Sequence, residues 1–312
     1  MEVEINVQRK IEIIILSGFL GSGKTTLLKN LLEQEQKSGR KAAILMNEVG
    51  EVSIDGYLLP PNFPIEEITN GCICCSGKDQ LERTILNLYK TNRPDVIYIE
   101  SSGLAHPIDV IDSCLSPIIA NDIEIKNVIT VLDSLRWCHR QEYSKPIQCL
   151  MEEQVKYADL LLINKIDLIQ QQTFNKVIEE IENLHPNIHY QITSHARMEI
   201  SSIQSSCHER EIEHQQFHVH NHLHINHLVY VFTKPIEKNL FEQWLQTLPL
   251  SIFRIKGFIR FKETPVKTTL FQYAYGVPMY LNQEIAFPTN LVLIGEHLNA
   301  EKLKRQLEKL EN

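Results

Sequence analysis

Three cysteines packed into four positions, Cys72, Cys74 and Cys75, carry the most selective chemistry in this 312-residue chain. Thiolates are soft ligands that prefer zinc, copper(I) or iron–sulfur chemistry over magnesium. Three of them leave a tetrahedral ion one open position, which suits exchange better than the closed four-ligand shell of a structural zinc. Asn70-Gly71 predicts a tight turn just ahead of them, so the thiols fall on an irregular edge segment and not in a packed strand. The plain alternative is that they are small buried hydrophobes, although the adjacent Cys74 and Cys75 cannot easily point into one core together.

A second constellation runs from Gly18 to Thr25, Gly-Phe-Leu-Gly-Ser-Gly-Lys-Thr. It follows the aliphatic run Ile11 to Leu16 and leads into the helical spacing of Leu28, Leu31 and Leu32. Strand, glycine-rich loop and helix is the context a phosphate-binding loop needs. The glycines let backbone N–H groups point at phosphate, and the helix N-terminus adds its dipole. Lys24 can reach the β and γ oxygens and the Thr25 hydroxyl can ligate Mg2+. Gly21, Ser22, Gly23, Lys24, Thr25 and Thr26 are therefore the expected phosphate-side contacts, with Lys24 also a catalytic candidate.

Asn164-Lys165-Ile166-Asp167 closes another apolar run, at the carboxyl edge where open α/β sheets bind ligands. A carboxylate there can accept two hydrogen bonds from the N1–H and N2–H2 edge of guanine. Adenine offers no such donor pair, so the stretch points to GTP over ATP, with Lys165 along the base plane. A polar turn at a strand end is the other reading.

Two acidic features lie between these motifs. Asn47 to Asp55 holds Glu48, Glu51 and Asp55 on a loop where a γ-phosphate-sensing switch would sit, and Glu48 is a candidate metal ligand. A solvated acidic loop is the alternative. Glu100 ends the run Val96 to Glu100 just before Ser101-Ser102-Gly103. A carboxylate at the end of a hydrophobic strand beside a phosphate loop is placed to touch the magnesium shell or orient water, a second catalytic candidate.

Seven of the 13 histidines fall between His208 and His227. Within them His218, His220, His222 and His224 alternate, so an extended backbone would put all four on one face, about 6–7 Å apart. Such a row can capture zinc or nickel weakly; it reads equally as a solvated linker. His106, His139, His185, His189, His195 and His297 stand alone and read as surface or satisfied core residues.

These motifs need a doubly wound α/β domain to position them. Buried-strand runs recur at Ala42–Met46, Val96–Glu100, Val128–Leu132 and Leu160–Asn164, separated by enough chain for crossover helices. The expected organisation is a P-loop GTPase domain over 1–200, with a mainly parallel sheet, then a His-rich linker over 201–227. A smaller α+β domain follows over 228–312. Its strands are expected at Leu228–Thr233, Ile252–Phe261, Thr268–Tyr275 and Leu291–Gly295, with helices over Leu240–Thr247 and around Leu303, Leu307 and Leu310, on one face of an antiparallel sheet.

Composition narrows the partners. A net charge of −8 and a pI near 5.9, with no basic stripe, argue against general nucleic-acid or anionic-membrane binding. No stretch offers about 18 apolar residues, and Met1 to Lys10 lacks a signal-peptide pattern. The cysteines are too crowded or too scattered for a disulfide framework. A cytoplasmic protein with free thiols is the expectation.

With Gly18–Thr25, Asn47–Asp55, Cys72–Cys75, Glu100–Gly103 and Asn164–Asp167 in this order, the chain resembles the CobW-type metallochaperone GTPases. These are relatives of the GTPases that assist nickel insertion into hydrogenase and urease. Phe253 to Phe258 and Leu291 to Gly295 look like that family's C-terminal domain. The resemblance implies weak intrinsic hydrolysis of GTP to GDP and phosphate, and delivery of zinc, or sometimes cobalt for cobalamin synthesis, to a client metalloprotein. It implies that Lys24 and Thr25 serve phosphate and magnesium, Cys72, Cys74 and Cys75 the transition metal, and Asn164 and Asp167 the base. Ser101-Ser102, between Glu100 and Gly103, is a local difference where many members carry other small residues. Two other readings stay open: a passive zinc reservoir with incidental hydrolysis, and a P-loop small-molecule kinase. An oligomer is compatible with all three.

Overall fold

The computed structural model describes residues 10–47, 63–68, 78–186, 188–203, 225–274, 276–283 and 287–312. The chain divides into two compact units, Met1–Cys114 with Asp122–Arg210, and Leu115–Asn121 with Glu211–Asn312.

The first unit is built on seven strands, β1 Ile11–Ser17, β2 Ala42–Asn47, β3 Ile65–Ile68, β4 Val96–Glu100, β5 Ile123–Asp133, β6 Leu160–Asn164 and β7 His189–Ile192. Their spatial order is β3-β2-β4-β1-β5-β6-β7, and every pairing is parallel. Parallel strands carry helices on both faces, which is why β1, β4 and β6 read as near-continuous aliphatic runs and are buried along almost their whole length. The helices are α1 Lys24–Ser38, α2 Lys78–Thr91, α3 Pro107–Cys114, α4 Ser134–Cys138, α5 Lys145–Lys156 and α6 Gln171–Leu184.

Helix α1 shows how spacing makes an element. Leu27, Leu28, Leu31 and Leu32 recur on one face and are fully buried against Ile14, Leu16, Ile44, Tyr98 and Ile129. Gly39 ends the helix in a left-handed conformation and donates its N–H to the Glu35 carbonyl at 3.1 Å. Truncating Leu31 to alanine here would cost about 2–5 kcal/mol. A second cluster, around Trp137, Leu161, Ile163, Val177 and Ile181, packs α4, α5 and α6 on β6.

Strand β1 lies between β4 and β5, so the chain leaves it on one side and returns on the other. That switch point, at the carboxyl ends of the strands, is where open α/β sheets form a ligand crevice. All the described motif residues gather at that edge.

The second unit is a five-stranded sheet of order β11-β10-β9-β12-β8, antiparallel throughout. Its strands are β8 Ile225–Val231, β9 Ile252–Ile259, β10 Thr268–Ala274, β11 Val277–Gln283 and β12 Asn290–Glu296, and its helices are α7 Lys238–Gln246 and α8 Ala300–Leu310. Phe241, Trp244, Leu303 and Leu307 bury one face of the sheet through Leu228, Ile255, Phe271, Leu291 and Leu293.

The expected strands are present, with three differences. β5 begins five residues before its expected start, because Ile123 and Ile125 alternate with polar residues and only the later half is uniformly apolar. β3 and β11 were not expected: Ile65–Ile68 has two glutamates in four residues, and Val277–Gln283 is an edge strand with most side chains exposed. β8 also starts at Ile225, so His227 is a buried strand residue.

Candidate nucleotide site

Lys24 opens α1 and is almost fully buried. Its ammonium donates to the carbonyls of Gly18 at 2.8 Å and Phe19 at 3.3 Å. The other carbonyls of the loop are also held from outside. Arg136 Nη1 donates to Leu20 at 2.6 Å, Lys165 Nζ to Gly21 at 2.7 Å, and the Asn164 amide to Ser22 at 2.9 Å. With these carbonyls tied and the Ser22 N–H turned to the Phe19 carbonyl at 3.2 Å, the loop sits against the positive end of α1, where an anion is favoured. Gly23 stands at φ +114, and a Cβ there would lie 2.7 Å from Asn164 Nδ2, so the tie to Asn164 requires glycine.

The base-side residues come from β6. Asn164 is buried; while its Nδ2 holds Ser22, its Oδ1 accepts the N–H of Ala196 at 2.9 Å. It therefore pins the phosphate loop and the turn after β7 to one strand end. His195 and Ala196 both have positive φ, 62° and 49°, a strained pair that this bond helps to hold. Lys165 is also left-handed, at φ 60°, which turns its chain back over the loop. Asp167 sits in a single 3-10 turn, Ile166–Leu168, exposed and with no hydrogen bond or ion pair to any described residue. Its carboxylate is open to a ligand.

At the phosphate end, the Thr25 hydroxyl donates to Glu100 Oε1 at 2.6 Å, across 75 residues. A hydroxyl and a carboxylate side by side at a phosphate loop are hard oxygen donors, and they fit a small divalent cation such as Mg2+. Thr26 is exposed on the next position of α1. Ser22 lies in the loop with its hydroxyl buried.

Glu48, Cys72, Cys74, Cys75, His218, His220, His222 and His224 lie outside the described residues. Among the described residues no group of three or more His, Cys, Asp or Glu could hold a metal ion. Cys138 and Cys149 are free thiols, and Cys114 is buried.

Sequence reasoning missed Asp133. It ends β5 in register with Asn164 at the end of β6. Its Oδ1 caps α4 through the Arg136 N–H at 3.1 Å, and its Oδ2 holds Lys165 Nζ at 2.6 Å. The signal that singled out Glu100, a carboxylate closing a hydrophobic strand, was present here too. Arg136 carried none, since an arginine near the start of a short helix is ordinary.

A parallel seven-stranded sheet with a glycine loop at its switch point and a buried asparagine tying that loop to the end of β6 defines a P-loop nucleotide-binding domain of the GTPase fold. Residues 12–191 match the family described as CobW/HypB/UreG, nucleotide-binding domain, and residues 225–311 match the cobalamin synthesis protein cobW C-terminal domain. The chain belongs to this CobW/HypB/UreG family. It is 34% identical over 202 residues to a zinc chaperone CobW of Sinorhizobium sp, covering 56% of each chain. It is 28% identical over 220 residues to zinc-regulated GTPase metalloprotein activator 1 of Dictyostelium discoideum, covering 59% of this chain and 46% of that one. The chain thus spans about half the length of the curated relatives it matches. The crystal structure of Zn(II)-bound YjiA GTPase from E. coli aligns over 97% of this chain and 99% of its own, at 20% identity and a TM-score of 0.48. No helix among the described residues is long and apolar enough to cross a membrane.

Proposed function

We propose that the protein is a GTP-dependent metallochaperone. It binds a transition metal, zinc before cobalt, at Cys72, Cys74 and Cys75, and couples hydrolysis of GTP to GDP and phosphate to delivery of that metal to a client metalloprotein. The observation that carries the nucleotide half is the pair of ties from Asn164 to Ser22 and Lys165 to Gly21, which join a guanine-selective signature directly to the phosphate loop. The zinc half is supported by the thiolate donor set and by the relatives named zinc chaperone and zinc-regulated GTPase.

In this reading Asp167 accepts the guanine N1–H and N2–H2 donors while Lys165 covers the base. The loop from Gly21 to Thr26 receives the phosphates at the positive end of α1, and Lys24 exchanges its two loop carbonyls for phosphate oxygens. Thr25 and Glu100 would hold Mg2+, which supplies charge neutralisation on the transferring phosphoryl group. Glu48, next in sequence after β2, carries the state of the γ-phosphate to the cysteines, whose affinity for the cargo metal then depends on the nucleotide. The row His218, His220, His222 and His224 gathers metal loosely. Thiolate chemistry needs a reducing compartment, in keeping with the cytoplasmic location expected from the sequence.

The test is competition of Zn(II), Co(II) and Ni(II) against a chromophoric chelator, with Mg-GTP and with Mg-GDP, alongside the rate of phosphate release by the wild type and by Lys24→Ala. Tighter zinc binding with Mg-GTP and no turnover by Lys24→Ala are expected. Equal zinc affinity in the two nucleotide states would replace the switch with a passive reservoir.

A further inference from the structure

The segment that follows Glu100 is held at three places. Ser101 donates both its N–H and its hydroxyl to the Leu16 carbonyl, each at 3.0 Å. Gly103 lies against the phosphate loop so closely that a Cβ would stand 2.5 Å from the backbone nitrogen of Leu20. The third hold comes from α5. Gln154, buried to 1% exposure, donates its side-chain amide to the carbonyls of Gly103 and Ala105, both at 3.2 Å. Its backbone carbonyl accepts the Thr130 hydroxyl of β5 at 2.8 Å.

The neighbouring residue reinforces the hold. His106 Nδ1 lies 3.2 Å from the Ile108 N–H and accepts from it, so its proton is on Nε2, 3.1 Å from the Glu153 carboxylate. Two successive side chains of α5 therefore grip Gly103, Ala105 and His106, while Glu100 at the start of the same segment receives the Thr25 hydroxyl.

We propose that Gln154 is a positioning residue for GTP hydrolysis. By binding two carbonyls of the segment after Glu100, it fixes where the Glu100 carboxylate stands relative to Thr25 and how closely Gly103 lies against the phosphate loop. This rests on the GTPase reading above. Gln154 is one end of a brace: α5 leads directly into β6 and Asn164, so the phosphate-side segment and the base signature share one rigid support. A displaced segment changes the cation site and the hydrolysis step, while the base and diphosphate contacts, made by other elements, stay as they are.

Two variants separate positioning from packing. Gln154→Met keeps length and volume but has no donor for the two carbonyls. Gln154→Glu keeps the shape and sets an acceptor against both. Single-turnover phosphate release is expected to fall about tenfold in Gln154→Met and further in Gln154→Glu, with the Mg2+ concentration for half-maximal rate raised in the same order. GDP affinity, read with a fluorescent GDP analogue, stays within about twofold of wild type. Amide exchange across residues 101–106 accelerates in Gln154→Met, with the phosphate loop unchanged. If Gln154→Met turns over like wild type with an unaltered Mg2+ dependence, or if GDP affinity falls in step with the rate, the positioning role is overturned. Failure of the wild type to release phosphate at any Mg2+ concentration would instead overturn the GTPase reading.

Discussion

Asn164 Nδ2 donates to the Ser22 carbonyl at 2.9 Å, joining residues 142 positions apart, while its Oδ1 accepts the Ala196 N–H. One buried amide thus holds the phosphate loop, the end of β6 and the turn after β7 together. The same residue stands in the signature proposed to read the base, so in that reading one side chain serves both folding and nucleotide binding.

Asn164→Ala should therefore act on stability before any ligand is added. It leaves the Ser22 carbonyl and the Ala196 N–H buried without their partner, at about 1–3 kcal/mol for each such group. The apo protein should melt several degrees lower, and GDP should bind at least about tenfold more weakly, which is 1.4 kcal/mol. An unchanged melting temperature in differential scanning calorimetry would show that the tie carries no weight.

Asp167 has no partner among the described residues, so its replacement should leave stability alone and move selectivity. Wild type is expected to bind GTP at least about tenfold more tightly than ATP. Asp167→Asn should lose that margin and gain xanthine nucleotide, because an amide can donate to the carbonyl that replaces guanine's exocyclic amine. Equal GTP and ATP affinities in wild type, by direct titration, would remove guanine from the assignment.

If the metal and nucleotide sites are linked, zinc must tighten Mg-GTP by the same factor that Mg-GTP tightens zinc, typically about 5–150-fold. Replacing Cys74 and Cys75 together with serine should abolish both effects and leave GTP binding itself nearly unchanged. Thiolate ligands must lose protons to bind, so zinc affinity should weaken as pH falls. Calorimetric titration of Mg-GTP with and without zinc checks the reciprocity, and a serine variant that keeps it would move the metal elsewhere.

In the second unit the Glu311 carboxylate receives the Tyr230 hydroxyl at 2.6 Å, the Thr233 N–H at 2.6 Å and hydroxyl at 2.9 Å, and the Lys234 N–H at 2.9 Å. Partial burial pushes its pKa up, but these hydrogen bonds, led by Tyr230, outweigh that and hold it below the ordinary 4.5. A folded pKa below the unfolded one means that the charged form stabilises the fold above that value, and the contribution is lost as pH falls through the folded pKa. Glu311→Gln should destabilise this unit at neutral pH by about 1 kcal/mol, allowing for solvent screening. The gap to wild type should close below pH 4.5. Urea unfolding at pH 7 and at pH 3.5 measures it, and a gap that persists in acid would rule out the charge as its source.

Much of the site could be read before any fold was known, because its parts are local. The glycines and lysine of Gly18–Thr25 must sit between a strand and a helix, and Ile11–Leu16 and Leu27–Leu32 announce both by their spacing. Glu100 and Asn164 were legible because each closes an aliphatic run at the edge where such sheets bind ligands. β3 and β11 were not, since two glutamates in four residues and an exposed edge remove the apolar pattern that marks a strand.

What the tertiary structure alone decided is which distant residues share the loop. Asp133 reaches Lys165, and Arg136 reaches Leu20, across 32 and 116 residues. Gln154 is an ordinary polar residue on a helix until the segment after Glu100 brings two carbonyls to its amide. Motif chemistry is encoded in neighbouring residues and survives in the one-dimensional pattern. The contacts that hold a motif in place are made by side chains of unremarkable type, and only the order of strands in the sheet determines which of them arrive together.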